Sequence, residues 1–492
     1  MKITRIIFFF LLLCNFCSAT IRNVPANYNT VQSALSACQV NDTVLVQPGT
    51  YFENLTWPAI NGIKLLSVVG ADSTIISAGG INRVLNITHS IIDTTSRISG
   101  FTFRDGNITT GSGYGAGIYI TDASIIIENC RILNNRVFVP GGHGYGAGIY
   151  ISDSYTRLSN CLISGNRIDT ATWCYGAGIF ISGGEPVIND VVISNNKSNA
   201  EIWCYGVGLY ARANAIVTIK QLHVTGNYSG DNASYYYGNG IYLGNVTASL
   251  ENVLITLNRS GTNGNFNYGG GIFCDGNAGV MTLRHVTIAD NFKTGNATIT
   301  GSGIYVRDAN VTVSNSILYN SNPGNEASIS TNGLLNIAYS NVRGGFSGSN
   351  NISSPPGFTA ANDYHLLASS PCTGIGTAVN LIPADLDGNP RPLPVATLPD
   401  MGCYEIDQSA IGISADILTN TTIYVYPNPV ISGNNIIISN TIGKIKITDV
   451  VGKIVYRDDT NDHNSISTLG WNAGIYFIHT SGKATNKIFV IE

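Results

Sequence analysis

The stretch GYGAGIYI at residues 113–120 decides the fold, because the chain keeps returning to it. It recurs as GYGAGIYI (144–151), CYGAGIFI (174–181), CYGVGLYA (204–211), YYGNGIYL (236–243), NYGGGIFC (267–274) and GSGIYV (301–306). The second glycines are Gly117, Gly148, Gly178, Gly208, Gly240, Gly271 and Gly303, spaced by 31, 30, 30, 32, 31 and 32 residues. A near-constant period of this length marks a solenoid, in which each repeat is one coil stacked on the last. The glycines open a strand-like run rather than a helix and recur in every coil, so they are not a dinucleotide-binding fingerprint.

A second phrase follows each glycine pair by about 15 residues: IENCRILNN (127–135), LSNCLISGN (158–166), INDVVISNN (188–196), IKQLHVTGN (219–227), LENVLITLN (250–258), LRHVTIADN (283–291) and VSNSILYNS (313–321). Aligned, these give a column Cys130, Cys161, Val191, Leu222, Val253, Val286, Ser316, and two residues on Ile132, Ile163, Ile193, Val224, Ile255, Ile288, Leu318. Spacing by two is the period of a strand, so both columns face one side, and their apolar character makes that side the core. Five residues after the first column stands Asn135, Asn166, Asn196, Asn227, Asn258 or Asn291. Asparagine tolerates the left-handed backbone of a tight corner. Stacked at strand spacing, its amide also reaches the amide of the next coil. Short β-branched runs with no helical pattern between them point to a parallel β-helix rather than to βαβ units.

The chain has 492 residues, of which only 11% are charged and 55 are Gly. Low charge with abundant Gly, Asn, Ser and Thr suits a turn-rich solenoid. The formal net charge is −4, and no basic stripe is evident along the chain, which argues against a nucleic-acid partner. Met1–Ala19 has the layout of a signal peptide: Lys2 and Arg5, then an apolar Ile6–Leu13, then small residues at Ser18 and Ala19. No later stretch is long and apolar enough to span a bilayer. Eight cysteines follow the leader, and an exported chain permits disulfides. Cys372 and Cys403, in a loop-rich region, are the candidate pair. No Cys/His spacing suits zinc.

The opening TVQSALSACQVNDTVLVQPGTYFEN (30–54) reads as a short helix (about Thr30–Cys38), a strand (Thr43–Gln47) and a Pro48-Gly49 turn. Such a helix would cover the open edge of the first coil. This opening and the coils resemble the pectin-lyase-like right-handed β-helix superfamily over Ile21–Gly345. The resemblance implies a right-handed solenoid over 20–345. Residues 346–410 contain LLASSPCTGIGTA, DLDGNPRP and DMGCYE. They resemble the C-terminal segment of surface β-helix proteins of the choice-of-anchor Q type, through Ser370, Pro371, Gly376, Asp385, Asp387, Gly388, Arg391, Asp400, Gly402 and Glu405. The implied role is a cap on the last coil, with Asp385 and Asp387 as candidate calcium ligands.

Beyond a linker at 411–423, residues 424–492 change character. Their alternating runs read as a small β-sandwich. They resemble the type A sorting domain of the type IX secretion system, through Pro427, Asn428, Pro429, Gly452, Lys453, Gly474, Tyr476, Lys487 and Val490. The resemblance implies passage across the outer membrane by that machinery, removal of the tail, and release or attachment to surface lipopolysaccharide.

Relatives of the β-helix superfamily include polysaccharide lyases and polygalacturonases. Gly142-His143-Gly144 resembles a polygalacturonase tripeptide, which makes His143 the candidate catalytic residue, but no Asp-Asp doublet or Arg-x-Lys accompanies it. The aromatic residue after each inward Ile or Leu forms a column: Tyr119, Tyr150, Phe180, Tyr210, Tyr242, Phe273 and Tyr305. Alternation directs it outward, where aromatic faces suit a glycan or a protein. A second column, Tyr114, Tyr145, Tyr175, Tyr205, Tyr237 and Tyr268, precedes each first glycine, with Trp173 and Trp203 beside it. The expectation is an all-β, secreted or surface-held monomer, non-enzymatic and without a resident cofactor, that contacts glycans through the first column. The alternative is a lyase or hydrolase acting on acidic polysaccharides.

Overall fold

Ile118 and Ile120 point into the core while Tyr119 and Thr121 do not, and this alternation, repeated in every coil, builds the first wall of a parallel β-helix. The computed structural model describes residues 19–263, 266–277, 279–294, 299–321, 324–330, 332–407, 424–439, 445–458, 465–480 and 483–491. The expected leader (but for Ala19) and the linker lie outside these residues. The chain divides into two units, Met1–Ile406 and Asp407–Glu492.

From Ile118 to Ile304 the coils run in the same order, with about 31 residues per turn, whereas the coils at both ends are shorter, Ile21 pairing with Thr43 and Asn310 with Leu334. Ile118–Thr121 lies in the first wall. Ile126–Glu128 and Arg131–Leu133 lie in the second. The chain then leaves the core as Arg136–Phe138 and returns as His143–Tyr145 to the next Gly-x-Gly. Pairing between coils is parallel and in register, from Ile118 through Ile149, Ile179, Leu209, Ile241 and Ile272 to Ile304. The outgoing and returning strands form sheets of their own, with seven and six strands. Together they make a fin along one corner of the helix.

Both predicted core columns face inward. Strict alternation would not let Leu158 and Cys161, three residues apart, share a face, yet both are buried. A left-handed residue between them corrects the phase. Asn129, Asn160, Asp190, Gln221, Asn252, His285 and Asn315 all adopt φ of 47–54°.

The asparagine ladder is present. Each Nδ2 donates to the Oδ1 of the next coil: Asn135 to Asn166 (2.9 Å), Asn166 to Asn196 (3.0 Å), Asn196 to Asn227 (2.9 Å), Asn227 to Asn258 (2.8 Å) and Asn258 to Asn291 (2.9 Å). It continues to Asn320 (3.0 Å), a seventh member the repeat alignment leaves out. One expectation is corrected. The left-handed residue of the corner is not the ladder asparagine but its predecessor: Asn134, Gly165, Asn195, Gly226, Leu257 or Asp290, with φ of 52–68°. The ladder asparagines are fully buried and spend their amides on neighbouring coils.

Glu326 ends the ladder by accepting from the Asn320 backbone N–H (2.8 Å) and Nδ2 (2.6 Å). Burial outweighs these donors and raises its pKa to about 7. A carboxyl raised in the folded state binds its proton more tightly there than in the unfolded chain. Stability is therefore greatest below the ordinary carboxylate range and falls as pH rises toward 7. A higher melting temperature at pH 5 than at pH 8 is expected, with a shallower slope in Glu326→Gln. An unchanged slope in that variant would remove Glu326 as its source.

At the start, Thr30 caps the helix Val31–Ser36 by accepting from the Ser33 N–H, and Val31, Ala34 and Leu35 are buried over the first coil. The strand expected at Thr43–Gln47 spans Thr43–Val46 and pairs with an earlier strand, Ile21–Val24. At the other end, Arg391 and Glu405 form a fully buried ion pair (2.9 Å) within the segment that packs on the last coils. The expected Cys372–Cys403 bridge is absent: both are free thiols. Cys372 packs with Ile317, Leu366 and Met401, whereas Cys403 packs with Leu254, Ala289 and Tyr404, so each fills a different apolar cluster. Burial pushes their pKa values up to about 11 and about 12, which keeps both thiols protonated.

The described residues of the second unit form a three-stranded sheet and a five-stranded sheet. Ile436, Ile447, Ile466, Trp471, Ile478 and Ile488 fill its own core.

Candidate functional site

The Gly-x-Gly motif shapes the corner where the fin meets the first wall. Its first glycine is left-handed in every coil, with φ of 50–63° from Gly115 to Gly301, a conformation that a Cβ disfavours. Its second glycine allows close approach. A Cβ on Gly148 would lie 2.5 Å from the Gly178 carbonyl oxygen of the next coil. The sharp turn folds the returning strand back over the outer face of the first wall.

This corrects the expected binding face. Tyr119, Tyr150, Phe180, Tyr210, Tyr242, Phe273 and Tyr305 do point away from the helix core, but the fin packs on all of them except Tyr119, which is half-buried between Tyr150 and Arg83. Phe180 and Phe273 are fully buried, and Tyr210 and Tyr242 nearly so. They stack on one another along the axis, as in Tyr150–Phe180 (5.0 Å, 9°) and Tyr242–Phe273 (5.1 Å, 3°). The second tyrosine column packs edge-on against them, as in Tyr145–Phe180 (5.2 Å, 77°) and Tyr237–Phe273 (5.2 Å, 87°). Both columns form one aromatic core. Such pairs contribute roughly 0.5–1.5 kcal/mol each beyond area burial. They fasten the fin to the wall.

The fin has its own interior. Val137 and Ile168 of the outgoing sheet and Cys174, Cys204 and Tyr236 of the returning sheet belong to one buried cluster. Gly144 lies opposite Ile168, whose Cγ2 would be 2.3 Å from an added Cβ. The fin therefore presents two opposite outer faces. On the returning sheet a row runs His143, Trp173, Trp203, Tyr235, Phe266, in register across five coils. Its rings touch at centroid distances of 4.6, 4.7, 5.5 and 5.0 Å. All five are partly or largely exposed. Strand alternation could have found this row, since each member stands two residues before the second tyrosine column.

His143, the candidate catalytic residue, is the first ring of this row. Its Nδ1 lies 3.2 Å from the Tyr145 hydroxyl. At the foot of the fin a cleft is lined by Ser182, Tyr210, Arg212, Asn214, Tyr242 and Asp275. Arg212 stands over the Phe180 ring at 5.2 Å. Asp275 accepts from the Tyr242 hydroxyl (2.6 Å) and from both forks of Arg307 (2.8 and 2.7 Å). Burial raises the Tyr210 pKa to about 12, so its hydroxyl stays protonated.

Residues 66–302 match the family described as the right handed beta helix region, and residues 424–492 match the secretion system C-terminal sorting domain. The protein is a right-handed β-helix with a secretion-sorting tail. A crystal structure of pectate lyase Pel9A is similar at a TM-score of 0.31 and 13% identity, over 79% of this chain and 97% of that one. Comparison with curated proteins finds no match. The sorting tail engages secretion machinery and directs the β-helix to the cell surface or the extracellular space. Among the described residues no helix is long and apolar enough to cross a membrane.

Within the sorting tail, Val430–Ile431, just after Pro427, Asn428 and Pro429, pairs with Val490 and Ile491 of the last strand. The turn at Gly452 and Lys453 is closed by Asp449, whose Oδ1 accepts from the Val451 and Lys453 N–H groups. Gly474–Thr480 lies between Ile445–Asp449 and Lys483–Ile491, and Lys487 pairs with Phe477. Tyr476 packs on Trp471 at 4.8 Å. The motif residues are thus spread over the turns and central strands of one small fold.

In the β-helix cap, the calcium candidates have other partners. Asp385 is fully buried and accepts from the Asp387, Asn389 and Glu405 N–H groups. Asp387 lies 2.7 Å from His365 Nε2. Among the described residues no group of three or more His, Cys, Asp or Glu side chains is placed to hold a metal ion.

Proposed function

We propose that this β-helix acts outside the cell as a non-enzymatic glycan-contacting protein, and that the aromatic row on the returning face of the fin makes the contact. The carrying observation is the row itself: five partly exposed rings in register, fixed on a buried aromatic floor. Sugar faces stack on such rings, and the floor holds them in place before any ligand arrives, which lowers the ordering cost of binding. The leader at 1–19 takes the chain out of the cytoplasm. The tail is then removed and the body is released or attached to surface lipopolysaccharide.

The test uses the full mature chain on a panel of insoluble neutral and acidic polysaccharides. Retention on at least one is expected, and Trp173→Ala with Trp203→Ala should weaken it about tenfold or more, as aromatic anchors do. Melting temperature should change little, because both rings are partly exposed. Retention that survives the double substitution would rule out the row. Release of unsaturated uronate products or reducing ends would instead establish the lyase or hydrolase alternative and point to His143 and the Arg212 cleft.

A further inference from the structure

The other face of the fin carries a different chemistry. The residue after each ladder asparagine begins the outgoing strand, and these residues are Arg136, Arg167, Lys197, Tyr228, Arg259 and Phe292. They pair in register from coil to coil. Their neighbours Val137, Ile168, Ser198, Ser229 and Ser260 are buried inside the fin, so the row itself faces out. Arg167, Lys197 and Arg259 are exposed. The solenoid thus stacks four cations, drawn from five coils, into one line at a spacing near 4.8 Å per coil. The sequence hides them, because one or two whole coils separate each from the next.

The row is held in place. Asp169, nearly buried, accepts from Arg136 (2.8 Å) and lies 3.2 Å from Arg167. It fixes both guanidinium groups while cancelling one charge of the two. Lys197 and Arg259 stand over the Tyr228 ring at 5.3 and 4.2 Å, so this ring links the cations across the coil that lacks one. Asp231 is the other carboxylate near this part of the row, and it is engaged by the Thr262 N–H (2.9 Å) and hydroxyl (3.2 Å). Asp105 lines the pocket beside Arg136 and Arg167 but is paired with Arg104, so the four cations of the row still outnumber Asp169 and Asp231.

We propose that this face binds a sulfated polysaccharide chain laid along the solenoid axis. One sugar ring of an extended chain is about as long as one coil is thick, so successive sulfates meet successive cations. Three of the four cations are arginine, whose weakly hydrated planar fork suits oxyanions that are themselves weakly hydrated. Tyr228 is clasped between two cations rather than open for base stacking, which favours a polymer without exposed bases. This surface is separate from the aromatic row, on the opposite side of the fin, and does not rest on it.

The test measures binding of dextran sulfate and of uncharged dextran to the full mature chain at about 50 and about 200 mM salt. Binding of the sulfated polymer alone is expected, weakening more than about tenfold across that range. Arg167→Glu with Lys197→Glu should weaken it at least as much. Lys64→Glu with Arg157→Glu, both exposed on the second wall, makes the same change in net charge and should leave affinity within about twofold. Equal loss in both variants would reduce the effect to net charge and overturn the proposal. So would equal binding of dextran and dextran sulfate, or no binding of either. Tighter binding of polygalacturonate or of a DNA duplex would overturn the assignment to sulfate.

Discussion

Asn196→Ala is expected to destabilise the β-helix by roughly 3–5 kcal/mol, through several buried polar groups that lose partners at once. The Asn196 amide donates to Asn227 Oδ1 (2.9 Å) and to the Ile163 carbonyl (3.0 Å). Its oxygen accepts from the Asn166 backbone N–H (3.0 Å) and Nδ2 (3.0 Å). All of these groups are buried, so water cannot replace the missing partner without opening the stack. Each orphaned group costs about 1–3 kcal/mol before relaxation. Asn196→Asp should cost more, because a carboxylate can accept but cannot donate and carries an unpaired charge into the core. Asn195→Ala, one residue earlier, serves as the contrast. It loses only the ease with which asparagine adopts a left-handed backbone, about 1–2 kcal/mol. Denaturant melts followed by tyrosine and tryptophan fluorescence would rank the three. A loss below about 1 kcal/mol for Asn196→Ala would show that the stacked strands carry the coil without the ladder.

The ladder was legible because one residue type recurs at one position and its chemistry has a single use in a stacked corner. The core columns were legible for the same reason. The aromatic column was half legible. Alternation correctly placed Tyr150 and Phe180 outside the helix core, but it cannot say what lies above a face. The cover comes from the returning strand, whose Tyr145 and Tyr175 were visible in the sequence as a second column without their packing. The buried Val137, Ile168 and Cys174 of the fin interior were the missing signal: apolar residues on both sides of a short turn, enough for a second small core. The left-handed column at Asn129, Asn160 and Asp190 was missed because it includes Gln221 and His285, which carry no turn signature of their own.

Charge was harder to read than hydrophobic pattern. Arg136, Arg167, Lys197 and Arg259 are scattered along an acidic chain and become neighbours only through coil stacking. The disulfide expectation failed for a related reason. Cys372 and Cys403 share a loop-rich segment, but that segment runs along the second wall from Asn252 to Asn341 and sends each thiol into a separate cluster. The segment expected to cap the last coil instead lies along the second wall, bonded to Asn252, His285, Thr287, Asn315 and Asn341 of successive coils. Asp385, Arg391, Asp400, Gly402 and Glu405 converge on one buried hydrogen-bonded network.

That network makes Arg391→Met the other large loss. Arg391 donates from Nε to Glu405 Oε2 (2.9 Å), from Nη1 to Asn252 Oδ1 (2.7 Å) and from Nη2 to the Gly402 carbonyl (3.4 Å). Glu405 also accepts from the Leu393 and Asp400 N–H groups (3.1 Å each). Methionine keeps most of the volume and removes the charge. Glu405 is then buried beside Asp400 with no cation, and breaking such a pair from one side costs about 3–5 kcal/mol. Burial, reinforced by Glu405, already raises the Asp400 pKa to about 7. Burial also raises that of Glu405 despite Arg391, so removing the cation drives both further up. Carboxyls raised in the folded state stabilise it at low pH and lose that contribution as pH rises through their folded values. The deficit of Arg391→Met should therefore be large at pH 8 and shrink toward pH 5. Cys403, buried in the same segment, provides the readout, since its alkylation requires the cap to open. Faster labelling at pH 8 than at pH 5, relative to the unsubstituted chain at each pH, is expected. Glu405→Gln added to Arg391→Met should recover part of the loss, because it removes the stranded charge. Labelling and melting that match the unsubstituted chain at both pH values would show that apolar contacts, not the ion pair, hold the cap on the last coils.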